Sequence, residues 1–195
     1  MDCQTIIQQR ILEHISIADK LLGNNVIQQN IAEAADIILN CFRNGGKVWF
    51  CGNGGSAADA QHLAAEFSGK FYIDREPLPA EALHCNTSFL TAVANDYSFD
   101  IVYARLIAGL GKEGDILVGL STSGNSANIL KAFEVCRTKG IKTVGFTGET
   151  GGKMRQISDI LVNVPSTDTP RIQEMHITVG HIICEIVEAS LFPNL

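Results

Sequence analysis

The sequence has no cluster of basic residues, no Cys-x-x-Cys pair, no Gly-Lys-Ser/Thr step and no long apolar run. Each absence excludes a class of function. With a formal net charge of −6 and no basic face, nucleic-acid binding through phosphate neutralisation is not expected. Without a run of about 18 apolar residues, no membrane span is expected. The six cysteines are Cys3, Cys41, Cys51, Cys85, Cys136 and Cys184, several of them inside apolar runs. There cysteine acts as a small buried hydrophobe, and reduced thiols fit a cytoplasm best. The start, MDCQTIIQQR, carries neither a basic n-region nor an apolar h-region, so no signal peptide is expected. Repeats, low-complexity segments and linkers are also missing. The 195 residues, 46% hydrophobic and 18% charged, are therefore expected to form one globular domain over 1–195 with one sizeable core.

What is present is a change of rhythm at Lys47. Before it, apolar residues recur at helical spacing: Ile7, Ile11, Ile15, Ala18 and Leu22 over 4–22, then Ile27, Ile31, Ala34, Ile38 and Phe42 over 26–43. Gly23 and Gly45-Gly46 end the two helices. This leading pair, 1–45, is expected to pack either against another subunit or on its own sheet. After it, 46–195 alternates short β-rich runs (Val48–Cys51, Ala80–His84, Ile116–Leu120, Thr143–Phe146, Ile160–Val164) with helical ones. The helices are expected near 57–69, 87–95, 98–109, 127–139 and 152–157, and over 170–191. Alternating β and α implies an α/β fold with a five-stranded parallel sheet, flavodoxin-like, with helices on both faces. Such sheets bind ligands beyond the carboxyl ends of their strands.

Two loops stand at such ends. Ser121-Thr122-Ser123-Gly124-Asn125-Ser126 follows the third strand and opens a helix. Unpaired N–H groups of a first helical turn, with the helix dipole, attract an anion, and Ser121, Thr122, Ser123 and Ser126 add hydroxyl donors. With no Lys or Arg in the loop, a small phosphate ester is the expected ligand; the bland alternative is a Ser-rich turn with an ordinary N-cap. Gly52-Asn53-Gly54-Gly55-Ser56-Ala57 follows the first strand and formally matches G-x-G-x-x-A. The second strand ends Leu83-His84-Cys85-Asn86, without the acid a dinucleotide ribose needs, so no nucleotide is expected. Asn53 and Ser56 instead offer donors to a polar ligand.

Beyond the glycine turn, His62 and Glu66 lie four residues apart on one helix face, able to bind a divalent metal or to move protons. A solvated surface pair is the plain alternative. The last helix carries Gln173, Glu174, His176 and His181 in an otherwise apolar pattern whose buried side reads as Ile172, Ile177, Ile182, Ile183 and Ile186. A lone histidine there would be a satisfied core residue; two polar sets on two helices point to a shared site. Asp168 can cap that helix or accept hydrogen bonds from a sugar, and the same two readings apply to Asn95-Asp96.

Taken together, Cys51–Ser56, Ser121–Ser126 and Arg171-Ile172-Gln173-Glu174-Met175-His176 resemble the sugar isomerase (SIS) superfamily and, within it, the phosphoheptose isomerase family, over nearly the whole chain. His62-x-x-x-Glu66 with Gln173 and His181 narrows the match. The resemblance implies a homotetramer with active sites between subunits. It also implies isomerisation of D-sedoheptulose 7-phosphate to D-glycero-D-manno-heptose 7-phosphate, the first step of heptose synthesis for lipopolysaccharide or other glycans. On that pattern Ser121, Thr122, Ser123 and Ser126 hold the phosphate. Asn53, Gly54, Gly55, Ser56, Glu66, Asn95, Asp96, Asp168 and Gln173 line the sugar. Glu66 and His181 are the acid–base pair, and His62, Glu66, Gln173 and His181 hold one Zn²⁺ per subunit. Lys70 departs from the Gly-Arg pair of some relatives, keeping the charge but not a bidentate contact. The rival is an inactive relative that binds the replication initiator protein and can end in a similar Leu-Phe-Pro, as at Leu191-Phe192-Pro193. That relative lacks the glutamate supplied here by Glu66.

Overall fold

The computed structural model describes residues 2–193. Helices α1 (Cys3–Leu22) and α2 (Asn25–Arg43) precede β1 (Val48–Gly52). Then follow α3 (Gly55–Ser68), β2 (Ala80–Ala82), α4 (Thr87–Asp96), α5 (Val102–Leu110), β3 (Ile116–Leu120), α6 (Ala127–Lys139), β4 (Lys142–Thr147), β5 (Ile160–Asn163) and α7 (Thr169–Leu191). Short side chains start the leading helices as the propensities require: Asp2 accepts from the Thr5 N–H, and Asn24 from the N–H groups of Val26 and Ile27.

All five strands pair in parallel, in the order β2-β1-β3-β4-β5. The chain winds outward from β1 to β2, then returns across β1 to start β3. The reversal lies between β1 and β3, and its register sets Gly52 beside Leu120. The two loops singled out above therefore leave the sheet side by side, at the topological switch point. One face of the sheet is covered by α2, α3 and α7, with Ile31, Ile38, Leu63, Phe67, Val179 and Val187 in the packing. The other is covered by α5 and α6, with Ile107, Ile129 and Phe133 against Trp49 and Leu117.

Three details differ from the sequence pattern. The segment near 152–157 is 3₁₀ over Gly152–Gln156, too short to establish α-helical pairing. The buried stripe of α7 runs through Ile172, Met175, His176, Val179, Ile183 and Val187, whereas Ile182 and Ile186 are exposed. That stripe keeps the i, i+3/i+4 rhythm, and 182 and 186 fall out of its phase. The leading helices also divide their roles: α2 is buried on its own sheet, but α1 buries only Ile17 and leaves Ile6, Ile7, Ile11, Leu12 and Ile15 exposed. All six cysteines are free thiols; Cys3 and Cys85 are exposed and the other four buried.

Candidate active site

The first loop is shaped by close approach. Gly54 has a φ of +57°, and a Cβ at Gly52 would collide with the Ser56 carbonyl. The Tyr103 hydroxyl donates to the Gly52 carbonyl at 2.5 Å, fixing the end of β1 from the opposite face of the sheet. At Gly55 a Cβ would lie 2.6 Å from the Gln173 amide. Gln173 of α7 thus rests on the first turn of α3.

In the second loop the ordinary-cap alternative fails. Ser126 occupies the N-cap position of α6 but makes no side-chain cap bond. Its hydroxyl instead meets that of Ser121 at 2.8 Å. The loop is clamped to the segment after β4: the Met154 N–H donates to the Gly124 carbonyl at 3.0 Å and the Gly148 N–H to the Thr122 carbonyl at 2.9 Å. Gly124, at φ +66°, packs on the Gly151 carbonyl where a Cβ would not fit. The result is a fixed hydroxyl-bearing loop at a helix start, a set of donors whose chemistry suits an anion.

Asp168 likewise stands at the N-cap position of α7 without a side-chain cap bond. It is exposed and faces a groove of about 430 Å³ between α1 and α7, also lined by Lys20, Ser166 and Arg171. Asn95 and Asp96 end α4, exposed, with the Asn95 amide donating to Asp96 at 2.9 Å. No polar contact joins them to the two loops among the described residues. Lys70 is exposed just beyond α3.

The acid–base candidates converge. His62 Nε2 lies 3.0 Å from Glu66 Oε1 and 3.0 Å from His181 Nε2. Helices α3 and α7 meet this closely because Gly180 has no side chain: a Cβ there would stand 2.5 Å from Leu63 Cδ2. Phe71 covers the His181 ring at 5.6 Å between centroids. The three ligand atoms of His62, Glu66 and His181 all fall within 4.8 Å of one another. His62 Nε2 carries at most one proton, so it cannot both donate to Glu66 and accept from His181. A cation shared by all three resolves that conflict, and two imidazoles with one carboxylate are a known zinc donor set. Gln173 is not in this cluster within the chain: it touches Gly55, which precedes His62 by seven residues, about 10 Å along α3.

His176 is set apart from His181. It is fully buried, its Nε2 meets the Thr147 carbonyl at 3.1 Å, and burial pushes its pKa down to about 4, against a smaller rise from that carbonyl. It is a core histidine. Glu174 pairs with His14 and Arg171, tying α1 to α7. Sequence reasoning missed Asn128, buried behind the loops, and the pair Arg75–Glu188. Glu188 had a signal, a charged residue four positions after buried Cys184; Arg75 had none.

With this geometry established, comparison with known proteins is direct. The sequence profile of the SIS domain family matches residues 19–148. A phosphoheptose isomerase of Rhodospirillum rubrum is 58% identical over 161 residues, covering 83% of this chain and 86% of that protein. One from Aneurinibacillus thermoaerophilus is 48% identical, covering 96% and 95%. The chain belongs to the phosphoheptose isomerase family of SIS domains. The structure of phosphoheptose isomerase from Neisseria gonorrhoeae superposes with a TM-score of 0.90 at 40% identity, over 96% of this chain and 100% of that one. For the Francisella tularensis phosphoheptose isomerase the TM-score is 0.91 at 37% identity, over 96% and 98%. Membership makes the chain an isomerase, and these relatives lend no support to the adaptor reading.

Proposed function

We propose that this crevice interconverts D-sedoheptulose 7-phosphate and D-glycero-D-manno-heptose 7-phosphate, the entry to heptose synthesis for lipopolysaccharide or other glycans. The observation that carries the reading is the common origin of its parts. The hydroxyl loop and the glycine turn leave adjacent strands at Leu120 and Gly52, and the helix opened by that turn carries Glu66 and His62, with His62 meeting both Glu66 and His181. The phosphate is read by Ser121, Thr122, Ser123 and Ser126, and the sugar by Asn53, Gly54, Gly55, Ser56, Glu66, Asn95, Asp96, Asp168 and Gln173. Glu66 takes a proton from C1 of the ketose while the C2 carbonyl oxygen gains one from His181, giving an enediol. Return of a proton to C2 and loss of the O1 proton complete the aldose. Donors of the loop turn and Gln173 oppose the charge that develops on oxygen.

The donor set fits zinc, one ion per subunit, on His62, Glu66 and His181. Gln173 is the fourth ligand of the proposed set and would come from a neighbouring subunit of the tetramer, since within one chain it rests on Gly55, about 10 Å along α3 from His62. Bound there, the ion supplies polarisation of a substrate oxygen. The cytoplasm is the proposed location, a reading supported by the free state of all six thiols. Among the described residues no helix is long and apolar enough to cross a membrane.

The direct test incubates the purified protein with sedoheptulose 7-phosphate and detects the aldose. Each loop hydroxyl offers phosphate a charge-assisted hydrogen bond of roughly 1.5–3 kcal/mol, so Ser121→Ala should raise KM about tenfold or more. Unchanged KM in both Ser121→Ala and Ser126→Ala would place the phosphate elsewhere.

The assembly proposed is a homotetramer with active sites between subunits. The apolar residues Ile6, Ile7, Ile11, Leu12 and Ile15 along one helix support it, because contiguous exposed apolar surface of this kind marks an interface. Light scattering should give four times the chain mass of 21.1 kDa. A monomer at micromolar concentration would overturn the shared site.

A further inference from the structure

We infer that Asn128, on the first turn of α6, is a positioning residue that fixes how the Asn53 amide meets the sugar; this rests on the reading of Asn53 as a substrate contact. Asn128 is 2% exposed and lies behind the two loops. Its carboxamide faces that of Asn53 in a reciprocal pair: Asn53 Nδ2 donates to Asn128 Oδ1 at 3.0 Å, and Asn128 Nδ2 donates to Asn53 Oδ1 at 2.8 Å. The two ends of an amide have nearly the same shape, so orientation must come from a partner of fixed character. The Ile129 N–H is such a partner. It can only donate, and, shared with the Ser126 carbonyl at 3.1 Å, it meets Asn128 Oδ1 at 3.0 Å. That atom is therefore the oxygen, Asn128 Nδ2 must be the donor to Asn53, and Asn53 must turn its oxygen toward it.

The consequence is specific. Asn53 keeps one N–H and one oxygen lone pair free, both directed by Asn128, so it can donate one hydrogen bond and accept another. That combination suits the hydroxyl and carbonyl oxygens of a sugar near its reacting end. The pair also joins the turn after β1 to the helix after the phosphate loop, holding the two halves of the crevice in register.

The test is a double-mutant cycle on the full-length enzyme with Asn53→Ala, Asn128→Ala and the double variant. It is read as kcat/KM for sedoheptulose 7-phosphate and as the inhibition constant of inorganic phosphate. Losing one oriented hydrogen bond should lower kcat/KM about tenfold in each single variant. The double variant should be no worse than Asn53→Ala, since coupled residues are not additive. The phosphate constant should stay within about twofold of wild type, because loop 121–126 keeps its own clamps. Asn128→Ser retains an acceptor for the Ile129 N–H but cannot reach Asn53, and it replaces Asn128→Ala should that variant fail to fold. Additive losses, or a parallel weakening of inorganic phosphate, would overturn the proposal by making Asn128 a support of α6 alone. Failure of both variants to fold would do the same. If Asn53→Ala is itself silent, Asn53 is not a substrate contact and the inference falls with that reading.

Discussion

Replacing Glu66 by glutamine should cut kcat by on the order of 100-fold or more, with little change in thermal stability. The substitution keeps the shape and removes the basicity. Glu66 is partly exposed on α3, and its Oε1 approaches His62 at 3.0 Å without entering the core. Proton transfer from carbon needs a base, and the amide of glutamine cannot take the proton as the carboxylate can. Near-normal turnover by Glu66→Gln would remove the basis for calling this cluster catalytic.

His62 separates two versions of the same chemistry. It touches both Glu66 and His181 but moves no proton in the scheme above. If the pair Glu66/His181 works alone, His62→Ala should keep much of the activity and chelation should do little. The zinc proposal requires the opposite: His62→Ala and chelator should both abolish turnover, added Zn²⁺ should restore the chelated enzyme, and metal analysis should find one zinc per wild-type subunit and far less in the variant.

The sequence made the strands and their loops legible because each rests on a local signal. β1 and β3 are fully buried five-residue runs, each followed by a glycine- or serine-rich loop. The pairing of His62 with Glu66 was legible for the same reason, a fixed spacing on one helix. What was not legible needed the phase of a helix or a long-range partner. His176 and His181 are five residues apart, about 140° around α7, so one enters the core while the other faces α3. Asn128 meets an amide 75 residues earlier, and Glu188 an arginine 113 residues away. No local pattern announces such contacts.

That last pair should have the largest effect on stability. Glu188→Ala is expected to cost about 3–5 kcal/mol, as breaking a buried ion pair does, and to lower Tm by about 10 °C. The side chains of Arg75 and Glu188 are 0% and 2% exposed and meet at 2.8 Å. Glu188 also accepts from the N–H groups of Phe71, Tyr72 and Ile73 at 3.1, 2.7 and 3.1 Å. Arg75 caps the end of α3 through the carbonyls of Glu66 and Phe67. Removing the carboxylate strands a guanidinium and three backbone donors in the interior. Burial alone would raise the Glu188 pKa. Hydrogen bonds from Tyr72, Phe71, Ile73 and Arg75 outweigh it and hold the group below its ordinary value of 4.5. Its stabilisation is therefore complete above pH 4.5 and is lost as pH falls through the folded value. His176 adds an earlier acid sensitivity, from pH 6.5 down to about 4, because its buried ring must stay neutral in the fold. The two are distinguished by difference: the gap in Tm between wild type and Glu188→Ala should hold from pH 7 to 5 and narrow below 4.5. The double variant Arg75→Met/Glu188→Leu should recover only the part due to the unpaired guanidinium, since it leaves no charge unpaired but still strands the N–H groups of Phe71, Tyr72 and Ile73. A Tm shift under about 2 °C for Glu188→Ala would mean that water reaches this pair and that the connection after α3 is held by other contacts.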